Sequence, residues 1–531
     1  MIMLRNAKYA VALLGLVTFV GLAAAATEGA KPSGHVTPSV DKQAMQVMHH
    51  DAEAIKKARL GMEKEIPVAN GDPTRPVYHF LPEARWINDP DGAFYANGWY
   101  HVFYQFNPYG NGWGHMYWGH ARSRDNVTWE RLPVAVWPDK DKGEDHCYSG
   151  SAVQNGMGRW QLWYTSVSRV RAKDQAKSRL DWVFNGQVML KPMDRDFIQW
   201  GKSTDDPVNR PCLPNNIDGY PWNKYLRDPT FFKVEGRTFM LLGITGKVAP
   251  IYEAKNKELT EWKYRGTMCD YAWDCPQMIP AGNKWIYVMS RGAPPRYYIG
   301  TFDPETAKFS RENEGKLDQA GNYHTISFSI DDKGRAITYS WITGTRQAKG
   351  WNNCFALPRV VTLGVDGHPV QKPVPELAKL RGKHKNAVVA HGKKLIAKGD
   401  TVEVVARFEN ADAGACGLRV RGLDIRYANG TLDVLGTKLK IAPEGDQKAI
   451  DLQVFLDKSI AEVFINGGRK TVTRVIYPAA DALEIEAYAE GGVQATVDVW
   501  QMNGIWAHRE QASSPFAVKT GSARKKKWLK M

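Results

Sequence analysis

The chain has 531 residues, 43% of them hydrophobic and 24% charged, an ordinary globular mixture with enough apolar residues for a real core and room for two to four domains. The formal charge of +15 is partly terminal, in Arg524, Lys525, Lys526, Lys527 and Lys530. No helix-turn-helix, zinc-finger or RNA-binding signature accompanies it, and the six cysteines include no CxxC pair, so neither a nucleic-acid partner nor a disulfide-stapled or zinc-ribbon fold is indicated.

The first element in chain order is a targeting signal. Arg5 and Lys8 precede an apolar run from Tyr9 to about Ala26 that closes in the small residues LAAAATEG. This reads as a secretory signal over 1–26 and predicts an exported protein, periplasmic or secreted. No later segment is long and apolar enough to span a bilayer, so no stable membrane insertion is expected after cleavage. Residues 27–75 form a leader, loop-like at TEGAKPSGHVTPS and helical in spacing from Asp41 to Ile66. From 76 to 363 the pattern changes to short aromatic and β-branched runs between Gly, Asp, Asn and Pro turns, as in GAFYANGWYHVFYQF and PTFFKVEGRTFMLLGIT. These are antiparallel strands in tight hairpins, spaced as in propeller blades or in a large sandwich. Residues 364–388 read as a linker. Alternation returns in TVEVVARFE, KAIDLQVFLDKSIAEVFING and ATVDVWQM, which predicts a second all-β unit over 389–510, most simply a sandwich. Residues 511–531 are a basic tail.

Three acids stand in one grammar. Asp89 lies in WINDPDG at 86–92, Asp228 in LRDPT at 226–230, and Asp274 in CDYAWDCP at 269–276. Each is close to a proline that leads into a strand. Asn, Asp, Pro and Gly are also what turns use, so a plain turn and a functional carboxylate both stay open for each motif taken singly. The functional reading of Asp89 is a carboxylate at a strand mouth, held by Asn88 and backed by Trp86. For Asp228 it is a sugar-binding carboxylate whose charge and geometry are fixed by Arg227. Asp274, between Trp273 and Cys275, has the apolar neighbours that raise a carboxyl pKa and suit a general acid. Glycosyl transfer needs two carboxyl groups across the scissile bond, and a third can hold ring hydroxyls. No GxSxG, HExxH, GxxxxGK[ST] or Rossmann glycine pattern competes.

WINDPDG, with FYQFNP at 103–108, WGHARSRDNVTWERLP at 118–133, YSGSAV at 148–153, RDP at 227–229 and WDCP at 273–276, resembles glycoside hydrolase family 32, the invertases, inulinases, levanases and fructosyltransferases. The resemblance covers roughly residues 76–505. It implies a five-bladed β-propeller followed by a β-sandwich, acting on sucrose or β-fructans through a covalent fructosyl-enzyme, as a monomer or homodimer. It needs no metal and no organic cofactor. It matches Asp89 to the nucleophile, Asp228 to the transition-state stabiliser and Asp274 to the acid/base. It places Trp86, Asn88, Gln105, Trp113, Tyr148, Ser149 and Arg227 around the fructose subsite. Tyr148 stands where a Phe is common. At Asp274 the chain departs from the family's Glu-Cys-Pro-Asp, and the shorter side chain draws the carboxyl back by about 1.5 Å. A displacement near 1 Å can cost around 10²-fold where positioning matters. A shifted loop, an altered leaving group, or lost activity in a sugar-binding protein would each account for it, and fructosyl transfer to a sugar acceptor stands beside hydrolysis.

Overall fold

The computed structural model describes residues 48–171, 180–203, 226–244 and 248–506. The expected signal (1–26) and basic tail (511–531) lie outside them. Of the leader, Asp51 caps a helix by accepting the Ala54 N–H at 2.8 Å, and that helix runs Ala52–Glu63, with a second at Ile66–Asn70. Ala58 on its inner face packs with Tyr117 and Trp137. No helix among the described residues is long and apolar enough to cross a membrane.

The rest is all-β. Five sheets, antiparallel but for one short strand, follow one another, each opened by a strand that meanders outward: Arg85–Ala96, His146–Gln154, Arg227–Val234, Asp274–Ala281 and Tyr323–Ile330. The hairpins are set by local chemistry. Asn97-Gly98 and Glu235-Gly236 both have φ > 0 at the two central positions, the two-residue turn whose twist matches paired strands. Each first strand packs beside the first strand of the next sheet in chain order, and the fifth packs beside the first. The short strand Trp351–Asn352 returns to pair in parallel with Arg85 and Trp86.

Two six-stranded sheets follow, running from Arg381–Val389 to Gln494–Met502. They share an aliphatic core that includes Val404, Leu418, Ile425, Leu452, Val463 and Val497, the alternating inward residues that the sequence shows. The linker expected at 364–388 is shorter than that. Pro369–Pro373 is the last strand of the fifth sheet and Arg381–Val389 already belongs to the rear sheets, which leaves a 3-10 turn at Pro375–Leu380 between them. The prolines made that strand look like a loop, yet as the sheet's last strand it lies where proline is tolerated.

Front and rear sheets are locked by a buried polar network. Asp457 accepts the backbone N–H groups of Val77, Tyr78 and His79 and also His79 Nδ1, at 2.7–2.9 Å. His79 Nε2 lies 3.0 Å from Glu462, which also pairs with Arg359.

Candidate active site

Each of the five first strands slips register against its partner near its start. The breaks fall between Ile87 and Pro90, Cys147 and Gly150, Arg227 and Thr230, Asp274 and Gln277, and His324 and Ile326. Such a bulge adds a residue on one strand and re-aims its side chain. Pro90, Pro229 and Pro276 sit within three of them and carry no N–H for the ladder. Asp228 (φ 57°) and Cys275 (φ 50°) occupy the left-handed region, where non-glycine residues are held only by their surroundings.

These bulges bring the three acids of the sequence together. Ser149 Oγ donates to Asp89 Oδ2 at 2.7 Å. The Cys275 thiol lies 3.5 Å from both Asp89 Oδ2 and Asp228 Oδ2, and the Cys275 N–H donates to Asp228 Oδ2 at 3.0 Å. The Asp228 N–H in turn donates to Thr165 Oγ1 at 2.9 Å. Arg227 pairs with Asp274 Oδ1, and its Nε lies 3.6 Å from Asp228 Oδ2. One cation and one thiol thus hold three carboxylates that come from three sheets.

The flanking residues form the rim and walls. Trp113, 43% exposed, stacks on His146 with ring centroids 5.3 Å apart and meets Tyr148 edge-on at 5.9 Å. Tyr148 meets Phe184 edge-on at 5.8 Å, and the Arg227 guanidinium lies 5.7 Å from that same ring. Gln105 is buried and its amide donates to the Cys147 carbonyl at 3.0 Å, so it fixes the backbone just before Tyr148. Asn88 does not hold Asp89 as expected. Its Oδ1 accepts the Trp86 indole N–H at 2.8 Å, and Asp89 is held by Ser149 and Cys275 instead.

Burial pushes the Asp274 carboxyl above the ordinary aspartate range, Arg227 pulls it down, and the Asp89 charge adds to the rise. Burial likewise lifts Asp228, against Arg227 and the Cys275 N–H and with the help of Asp274 and Asp89. Burial and the carboxylates of Asp228 and Asp89 keep the Cys275 thiol protonated, hence a donor. Three further residues that sequence reasoning passed over belong here. They are Cys275 and Asp91, both inside the motifs, and His324, which lies outside them and whose imidazole burial holds below its ordinary value against the nearby Asp89 charge. Their signal was slight: a cysteine beside proline, an acid in a turn, and a lone histidine. No group of three or more His, Cys, Asp and Glu side chains among the described residues is placed to hold a metal ion.

The sequence model of the glycosyl hydrolases family 32 N-terminal domain matches residues 79–373, and that of the family 32 C-terminal domain matches 376–501. The chain is 30% identical over 505 residues to a levanase of Bacillus subtilis, covering 81% of this chain and 71% of the levanase. It is 26% identical over 505 residues to a sucrose-6-phosphate hydrolase of the same organism, covering 85% and 99%. The solved structure of a mutant β-fructofuranosidase of Bombyx mori in complex with sucrose superposes with a TM-score of 0.71 at 22% identity, covering 86% of this chain and all (100%) of that one, a likeness of fold.

Proposed function

Since the chain belongs to glycoside hydrolase family 32 and is a glycoside hydrolase, we propose that it releases fructose from sucrose or β-fructans with retention, through a fructosyl-enzyme on Asp89. The observation that carries this reading is the pairing of Asp89 and Asp228 across the one Cys275 thiol, with Asp274 next in the chain and held by Arg227. Asp89, held by Ser149 with one oxygen left to react, attacks the anomeric carbon. Asp274, whose burial favours the protonated form, gives its proton to the leaving oxygen. It then takes a proton from the water that frees fructose. Asp228, fixed by the Cys275 N–H and Arg227, stabilises the flattened, positively charged ring. Trp113 and Tyr148 offer aromatic faces to the sugar at the rim.

The same reading takes the five sheets as the blades of a five-bladed β-propeller and the two rear sheets as a β-sandwich. The cyclic neighbourhood of the first strands supports it. It also takes residues 1–26 as an export signal, supported by Arg5, Lys8 and the apolar run behind them.

The test is incubation with sucrose, inulin and levan, with Asp89→Asn in parallel. Free fructose from the wild type and none from the variant is the expected result. In mixtures of methanol and water, the methyl fructoside formed should keep the β configuration. Inverted product would exclude the covalent intermediate, and longer oligosaccharides in place of fructose would make the enzyme a transferase.

A further inference from the structure

Asp91 follows the proposed nucleophile by two residues and is only 1% exposed. Its Oδ1 accepts the Gly150 N–H at 3.1 Å, while its Oδ2 has no hydrogen-bond partner. The titratable groups that face it are Asp89 on its own strand and, from the first strands of the third and fourth sheets, Asp228 and the Cys275 thiol. Ser149, the residue before Gly150, also lies against it and gives its hydroxyl hydrogen to Asp89.

An ionised carboxylate in this position would leave a bare, buried oxygen with its charge unpaired, beside two more carboxylates. Burial without a partner and like charge at short range both oppose that state. One proton removes the charge, and with it the repulsion and the larger part of the burial cost. It leaves Oδ1 free to accept Gly150 N–H, and so keeps the Ser149–Gly150 backbone where Ser149 can reach Asp89. Burial first, then the Asp89 charge, push the Asp91 carboxyl well above the ordinary aspartate range, in agreement with the geometry.

We propose that Asp91 is a positioning residue that works as a neutral acid: it holds its proton through the pH range of catalysis, anchors the backbone that presents Ser149 to Asp89, and disables the site when it ionises. The step is a simple acid dissociation, in which Asp91 gives a proton to solvent as pH rises. The new negative charge then repels Asp89 and Asp228 and weakens the hold on Ser149. This rests on Asp89 as the nucleophile, but the protonation state itself is independent of any turnover.

The experiment therefore has two arms. Infrared difference spectra of wild type against Asp91→Asn at neutral pH should show the carbonyl stretch of a protonated, buried carboxylic acid, absent from the variant. That band should vanish in alkali. If the difference instead shows only a carboxylate band, the proposal is overturned whatever the enzyme does with sugars. The second arm compares turnover of fructosides. Asp91→Ala, which cannot accept the Gly150 N–H, should lose about 10²-fold in kcat by displacing Ser149. Asp91→Asn, a permanently neutral isostere, should restore most of that loss. In the wild type, kcat/KM should fall in alkali with the loss of two protons, from Asp274 and Asp91, and in Asp91→Asn with the loss of one. Equal losses in the two variants, or limbs of equal steepness, would reduce Asp91 to packing. Wild-type inactivity on every fructoside would sink the functional reading while leaving the infrared result to stand.

Discussion

Arg227 is the side chain through which the acids of the site are tuned. It pairs with Asp274 and approaches Asp228, and its charge lowers both carboxyl pKa values against burial. A general acid must be protonated to work, so activity falls as pH rises through the raised pKa of Asp274. Removing Arg227 removes the downward pull, and the pKa rises further. Arg227→Met is therefore expected to move the alkaline limb of kcat/KM to higher pH. It should also cut kcat by about 10²–10³-fold, as loss of a charge that stabilises the transition state does. A pH profile on sucrose checks both, and an alkaline limb that stays in place would remove Asp274 as the titrating acid. The three acids and Arg227 drew attention because they stand in short strand-and-turn motifs of one grammar, and Ser149 because the family resemblance places it at the subsite. Cys275 did not, since by sequence it is a small hydrophobe between an acid and a proline. Only its left-handed backbone aims both thiol and N–H at carboxylates from other sheets.

The bulge is the element that turns a sheet edge into a site, and Gly150 shows what it requires. A Cβ on Gly150 would fall 1.9 Å from the Trp163 carbonyl oxygen on the paired strand, so the approach of two backbones, not the turn, demands glycine here. Gly150→Ala should destabilise the protein by about 1–3 kcal/mol, as overpacking does. It should also push Ser149 off Asp89, so kcat falls while the variant remains folded. Thermal unfolding and turnover, measured together, separate the two effects, and full activity in a destabilised variant would detach Ser149 from the mechanism. Strands were readable from alternation and hairpins from Asn97-Gly98 and Glu235-Gly236, because both signals are local. The bulges were not, since a register slip is a relation between two strands and leaves at most a proline or glycine in either one, and at Thr325 neither. The same locality explains the misplaced linker: Pro369 and Pro373 bound a strand whose pairing with Arg359–Leu363 is visible only in the sheet.

The whole molecule depends on a joint that carries no chemistry. His79 lies fully buried between Asp457 and Glu462, and Glu462 is shared with Arg359 of the fifth front sheet. Burial alone would lower the His79 pKa, but the hydrogen bonds to Asp457 and Glu462 outweigh it and raise the value from 6.5 to about 9. A histidine that binds its proton more tightly in the folded state stabilises that state most where the unfolded chain is also protonated. The contribution is therefore complete below pH 6.5, declines as pH rises, and is gone once pH has passed through about 9. His79→Gln keeps hydrogen-bonding capacity but carries no charge, so its unfolding midpoint should be lower than wild type at pH 6. Breaking a buried ion pair costs about 3–5 kcal/mol, and the lower end is expected here because Asp457 retains three backbone donors and Glu462 retains Arg359. The gap between variant and wild type should then close as pH is raised past 9. Denaturant unfolding at a series of pH values reads this directly. A gap that stays constant across the series would mean that His79 is neutral in the fold and that its charge adds nothing to the joint, which the backbone bonds to Asp457 and the Glu462–Arg359 pair would then hold.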